Sequence, residues 1–301
     1  MEESFLTTVG LPVALGVIMF SMGLTLVLDD FKRVGRYPGP VALGLTNQII
    51  ILPLIGFAVA LAFGLQPEYS VGIMILAACP GGVTSNLFCH LSRGNTALSI
   101  TLTAISSALA IITVPLIVNF ALASFMADNE SGEKVQLSVV ETALQIFGIS
   151  VLPVTLGMLL RRFRGMLARK IERPARNLST FLLVVIIVAV IIKNRSIIVD
   201  SFIVTSPAAL TLNIASMLLG FATARALLKD IRLGVTISLE SGLQNGTMGI
   251  YIASNLLKNP HMAIPPAIYS LVMFATGFAA VYIFGRMVKK HQLEHPPAAA
   301  H

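Results

Sequence analysis

The sequence predicts an all-α membrane protein with nine transmembrane helices, two of them broken and related by an inverted repeat. Three observations lead there. The composition is too apolar for a water-covered surface. Nine apolar runs have the length of a bilayer span. Two of those runs carry Pro, Gly and polar residues at their middle.

Hydrophobic residues make up 55% of the 301 positions and charged ones 12%, with a mean hydropathy of +0.85. A soluble domain carries about a quarter charged residues, so lipid is the solvent here. The net charge of +7 and a pI near 9.7 would point a soluble protein toward nucleic acid. These basic residues instead lie between apolar runs, without a stripe of aromatics, and nucleic acid is not an expected partner. Cys79 and Cys89 share one apolar segment with no CxxC pattern, and read as buried free thiols. Met1-Glu2-Glu3 is acidic where a cleaved signal starts basic, so the first span is expected to act as its own insertion signal. Residues 291–301 read as a flexible tail.

A helix crossing the hydrocarbon core needs about 20 apolar residues. In chain order the runs lie at roughly 5–28, 39–64, 70–92, 95–126, 137–160, 177–194, 205–227, 232–257 and 263–288. Lys and Arg collect on cytoplasmic loops. With the N-terminus outside, 17 of the 21 fall inside: Lys32, Arg33, Arg36, Arg93, seven residues from Arg161 to Arg176, Arg225, Lys229, Arg232, Arg286, Lys289 and Lys290. Only Lys134, Lys193, Arg195 and Lys258 fall outside. This predicts a multi-pass protein of the cell membrane, N-terminus out and C-terminus cytoplasmic, and explains the high pI without a polyanionic partner.

The third run contains Cys79-Pro80-Gly81-Gly82-Val83-Thr84-Ser85-Asn86, and the eighth Leu239-Glu240-Ser241-Gly242-Leu243-Gln244-Asn245-Gly246. Pro removes a helical N–H and Gly weakens the helix. A carboxylate at mid-membrane is costly unless it lines an enclosed polar site. In the topology above the two runs cross in opposite directions. Their predecessors echo each other: Leu45-Thr46-Asn47-Gln48-Ile49 before Gly56-Phe57-Ala58, and Leu210-Thr211-Leu212-Asn213-Ile214 before Gly220-Phe221-Ala222. Paired broken helices in opposed halves point to a secondary transporter's site.

A break leaves carbonyls unpaired at the end of its first half, suited to a small cation, and N–H groups unpaired at the start of its second, suited to an anion. Thr84, Ser85, Asn86, Gln244 and Asn245 add neutral oxygens, and Glu240 adds a carboxylate. This hard oxygen set fits Na⁺ better than zinc, which wants Cys or His. Ser99 and Thr103, four apart, share one helix face. Gln48 is in range of the second break, and Asn213 of the first break or of substrate beside it. The plainer readings stay open: Ser99 and Thr103 as backbone-bonded helix glue, Gln48 and Asn213 as interhelical hydrogen bonds, the glycines as close-packing sites. A structural role for Glu240 needs a buried cation, and no Lys or Arg lies at a span centre.

With these residues in view, the chain resembles the bile acid:sodium symporter family over essentially its whole length. The resemblance rests on Pro80-Gly81-Gly82 through Ser85-Asn86, on Arg93-Gly94-Asn95 with Ala97-Leu98-Ser99 and Thr103, and on Glu240-Ser241-Gly242-Leu243-Gln244-Asn245. It implies a panel domain of the runs at 5–28, 137–160 and 177–194. It implies a core domain of those at 39–64, 70–92, 95–126, 205–227, 232–257 and 263–288, with the broken helices crossing inside. It implies two Na⁺ sites, one from Ser85, Asn86, Ser99, Thr103 and Glu240. The other would use Gln48, Glu240, Gln244 and backbone oxygens of Ser241 and Leu243. An organic anion, a bile acid or a smaller carboxylate, is expected beside the breaks at Thr84, Asn245, Gly246 and Asn213. The chain departs from some bacterial members in having nine spans and Met273-Phe274 where those members carry a His-Asn pair.

The reading is therefore sodium-coupled symport by alternating access, with the lipid bilayer as surroundings and no obligatory protein partner evident. A proton-coupled carrier titrating Glu240 is the nearest alternative, and a passive channel or ligand sensor on the same fold a more distant one. An intramembrane enzyme needs a paired acid, a Ser/His set or a metal cluster at depth. One deep carboxylate and no deep His do not supply it.

Overall fold

The computed structural model describes residues 9–127, 136–193 and 198–294. The expected acidic start, residues 5–8 of the first run, Lys134, Arg195 and residues 295–301 of the expected tail lie outside them. Within the described residues the chain is helical, without a strand; a single isolated bridge pairs two extended residues.

Helix α1 spans Leu11–Gly23 and α2 Leu28–Arg36. Helix α3 runs Pro38–Ala62, α4 Pro67–Ala78, α5 Val83–Leu91 and α6 Thr96–Phe125. Helix α7 spans Val139–Phe163, α8 Gly165–Lys193 and α9 Ile198–Leu228. Helix α10 spans Ile231–Gly242, α11 Gly246–Tyr251 and α12 Ile264–Glu294. Six of these, α3, α6, α7, α8, α9 and α12, are long and apolar enough to cross a membrane. Each expected broken run is two short helices in series: α4 then α5, and α10 then α11. Twelve residues of helix rise about 18 Å, short of a hydrocarbon core of about 30 Å.

Proline shapes several helices. Pro38, Pro67 and Pro153 each stand at the start of a helical stretch. Pro53 and Pro153 follow wide π turns at Asn47–Ile51 and Phe147–Val151. There the missing proline N–H leaves a carbonyl one turn back, and the widened turn absorbs the mismatch. Two differences from the sequence reading stand out. Arg161–Arg176 is helix on both sides of the single residue Arg164, not an open loop. Its basic residues are mostly exposed while Ala168 is buried, an amphipathic pattern that hydropathy alone misses. Helix α12 also continues to Glu294, so residues 291–294 of the expected tail are helical.

Helix α1 packs on α7 and α8, and α9 packs on α10 and α12. One apolar cluster joins Leu15, Met19, Ile75, Val114, Ile187 and Met248, and a second joins Leu52, Leu76, Leu212, Leu239 and Met273. Outward faces carry Leu54, Phe181, Ile203, Leu218 and Phe278 in the open, as lipid allows and water does not. Helices without a hydrophobic drive between them associate through small residues. A Cβ on Gly23 would lie 2.1 Å from the Val154 carbonyl oxygen, and one on Gly157 2.5 Å from that of Phe20. Gly23→Ala is therefore expected to destabilise the protein by about 1–3 kcal/mol. Gly285→Ala, where nothing lies within 4 Å, should stabilise it by about 0.5 kcal/mol. Thermal unfolding of both variants in one detergent checks the contrast.

Candidate functional site

Pro80 biases the residue before it away from helix, and Cys79 is extended at φ −68°, ψ 147°. Gly82 is extended too, as is Leu243 in the second break. The two extended stretches lie antiparallel, Gly81 opposite Gln244. The Gly82 N–H donates to the Leu243 carbonyl at 3.2 Å, and the Asn245 N–H donates to that of Pro80 at 2.9 Å. Each break thus pairs backbone groups that the other leaves open.

The remaining carbonyls are capped from neighbouring helices in a matching way. Gln48 on α3 donates through Nε2 to the Cys79 carbonyl at 3.0 Å. Asn213 on α9 donates through Nδ2 to the Gly242 carbonyl at 2.7 Å. In both cases an amide on the long helix preceding a break caps the first half of that broken helix. Tyr269 Oη joins the second cap, donating to Gly242 at 2.8 Å.

Glu240 lies in the last turn of α10, beside the first break, and is 4% exposed. Oε1 accepts from Ser85 Oγ at 2.7 Å and from Ser99 Oγ, and Oε2 accepts from Thr103 Oγ1 at 2.8 Å. Each hydroxyl also meets a second acceptor: Gly82 O at 2.7 Å from Ser85, Asn86 Oδ1 at 2.8 Å from Ser99, and Ser99 O at 3.0 Å from Thr103. A hydroxyl has one proton to give, so six close oxygen contacts share three protons. Among the described residues no Lys or Arg pairs with Glu240. A buried, proton-poor knot of oxygens around a carboxylate is a ligand set that suits a hard cation. Gly81 is held to glycine by this knot, since a Cβ there would lie 2.6 Å from Glu240 Oε2.

The other expected ion ligands gather next to it but engage one another. Gln48 Nε2 donates to Gln244 Oε1 at 2.5 Å. Gln244 Nε2 donates to the carbonyls of Ser241 at 2.8 Å and Glu240 at 3.2 Å. The Leu243 carbonyl is taken by Gly82.

Thr84, Asn245 and Gly246 line a common cavity of about 60 Å³ against α1 and α8, with Met19, Arg176 and Met273. It is smaller than the roughly 300 Å³ at which small-molecule pockets begin. Asn213 stands apart from this cavity, behind the second break with Tyr269. Tyr269 and Arg176 are absent from the sequence-derived set. Tyr269 shares its long apolar run with Tyr282, so composition alone does not single it out. Arg176 was assigned to a loop, although it lies on α8. Cys79 and Cys89 are buried and free.

The chain matches the Sodium Bile acid symporter family over residues 12–201. It is 32% identical to an uncharacterized sodium-dependent transporter of Bacillus subtilis (strain 168), over 93% of this chain and 84% of that protein. It is 30% identical to a probable chloroplastic sodium/metabolite cotransporter of Oryza sativa subsp. japonica, over 94% of this chain and 64% of that protein. A probable chloroplastic sodium/metabolite cotransporter of Arabidopsis thaliana is also 30% identical, over 94% of this chain and 68% of that protein. The chain thus spans about two thirds of the plant relatives. With several long apolar helices and these matches, it is a multi-pass membrane protein that belongs to the sodium bile acid symporter family, whose members are transporters and not enzymes.

Proposed function

We propose that the protein couples Na⁺ to the symport of an organic anion by alternating access. The observation that carries this reading is the knot at Glu240, where three hydroxyl protons serve six oxygen contacts. A proton on Glu240 adds one donor to that knot and leaves it still short; a cation relieves it outright. The names of the relatives, sodium-dependent transporter and sodium/metabolite cotransporter, agree with this choice of ion.

In this reading the first Na⁺ lies among Ser85, Asn86, Ser99, Thr103 and Glu240. The second takes Gln48, Gln244, Glu240 and the oxygens of Ser241 and Leu243 once their mutual hydrogen bonds open. Helices α1, α7 and α8 form a panel. Helices α3, α6, α9 and α12 form a core with the crossed pairs α4/α5 and α10/α11, giving nine spans with the N-terminus outside the cell membrane. The packing of α1 on α7 and α8, and of α9 on α10 and α12, supports this division. The anion, a bile acid or a smaller carboxylate, binds between panel and core at Thr84, Asn245 and Gly246. There the first N–H groups of α5 and α11 favour negative charge. Asn213 acts from behind, holding the Gly242 carbonyl that ends α10. The cavity of about 60 Å³ fits a state closed around this site, and substrate entry needs panel and core to part.

Thermal stability of the purified protein tests the ion. Na⁺ at about a hundred times its Kd adds about 2.7 kcal/mol, several degrees in Tm, against choline or K⁺ at equal ionic strength. Glu240→Ala should abolish the Na⁺-specific part; equal effects of Na⁺ and K⁺ on the wild type would refute sodium coupling. Gly81→Ala sets a methyl against Glu240 Oε2. It is expected to weaken Na⁺ binding at least about tenfold while the protein still purifies as a monodisperse species. Unchanged Na⁺ affinity in that variant would move the ion away from the carboxylate. In liposomes, Glu240→Gln should lose Na⁺-driven uptake, whereas a proton-coupled carrier would respond to a pH gradient in place of a Na⁺ gradient.

A further inference from the structure

A second cavity is much larger than the one at the breaks. It holds about 800 Å³ between the α1–α2 connection, α6, α7 and the start of α8. Its two ends differ in chemistry. One is walled by Leu26, Val154 and Met158, and the other is rimmed by Lys32, Arg161, Arg162 and Arg169. Asp29 is the one acidic residue in the lining, and it pairs with Lys32 at 2.9 Å. Arg161 holds the Leu24 carbonyl at 2.5 Å and faces Glu172 at 3.5 Å. Arg162 lies 5.8 Å from the centre of the Phe163 ring. Among the described residues neither Arg162 nor Arg169 has a carboxylate partner. The rim is therefore left with positive charge to neutralise.

We propose that this cavity is a binding site for one anionic phospholipid. Its phosphate pairs with Arg162 and Arg169, and an acyl chain covers the wall of Leu26, Val154 and Met158. A soluble anion satisfies the rim alone; a neutral lipid satisfies the wall alone. Basic pockets between membrane helices take anionic lipid head groups for the same reason. The bound lipid touches α6 on one side and α7 and α8 on the other, so its occupancy bears on how far those helices separate.

The test uses the full-length protein in a neutral detergent. Phosphatidylglycerol, phosphatidylcholine of the same chains, and free glycerol 3-phosphate are titrated separately, read by thermal shift and by native mass spectrometry. Phosphatidylglycerol is expected to raise Tm and to appear as one retained lipid per chain, with little effect from the other two. Arg162→Gln with Arg169→Gln removes two interfacial charges and should weaken this binding about thirtyfold. Lys289→Gln, an exposed cation on α12, should not. Retained Na⁺ stabilisation in the double variant reports that it is folded. The proposal fails if phosphatidylcholine stabilises the wild type equally, or if glycerol 3-phosphate alone gives the whole shift. It also fails if the folded double variant binds phosphatidylglycerol as the wild type does.

Discussion

The structure depends on one backbone crossing. A helix broken inside a bilayer leaves carbonyls and N–H groups with no water to take them, and each such group costs several kcal/mol. Here two breaks meet, and the Gly82 N–H to Leu243 carbonyl and Asn245 N–H to Pro80 carbonyl bonds satisfy both at once. Neither break is tolerable alone. The four half-helices α4, α5, α10 and α11 are therefore held at one point, and the side chains flanking that point are fixed with them. Glu240, one turn before its break, meets Ser85, three residues after the other, because the crossing puts them there.

Symmetry accounts for the scaffold and asymmetry for the chemistry. Gln48 and Asn213 occupy matching places on α3 and α9, and each caps the first half of the broken helix that follows it. At the breaks themselves the halves differ. The first supplies a hydroxyl and an amide, Ser85 and Asn86; the second supplies the carboxylate, Glu240. The oxygen knot exists only where the two breaks meet, with Ser99 and Thr103 on α6 closing it. A cation that binds there is bound by both halves, so its free energy is also the free energy of keeping them together.

Much of this was legible in the residues. Pro80-Gly81-Gly82 and Gly242 announced the breaks because backbone rules are local. Glu240 announced a polar site because a buried charge has few tolerable explanations. Ser99 and Thr103 were ambiguous by spacing alone, and the structure brings both to the carboxylate while Thr103 also bonds the preceding turn. Partner choice was not legible. Gln244 turns its amide nitrogen back onto the carbonyls of Glu240 and Ser241, and Asn213 lies behind the second break rather than in the cavity. Those outcomes depend on where α9 and α12 pack, which no local pattern encodes. The basic stretch at Arg161–Arg176 misled for another reason: charge masks helical period from a hydropathy window, although Ala168 betrays the buried face.

The same geometry gives a physical route for coupling in the proposed reading. In that reading Ser85 holds the cation, and Thr84, one residue earlier, lies in the first turn of α5 and lines the cavity proposed for the anion. On the other side, Glu240 lies in the last turn of α10 and Asn245 caps α11, five residues apart. A cation that fixes Ser85 and Glu240 thereby fixes both N–H ends as well. The proposed coupling needs no long pathway between ion and anion, because their proposed sites lie at opposite ends of the same two short helix breaks. The differential affinity that coupling demands then reduces to whether the crossing is rigid or loose, a property of a few backbone bonds that the ion stiffens and the anion reads.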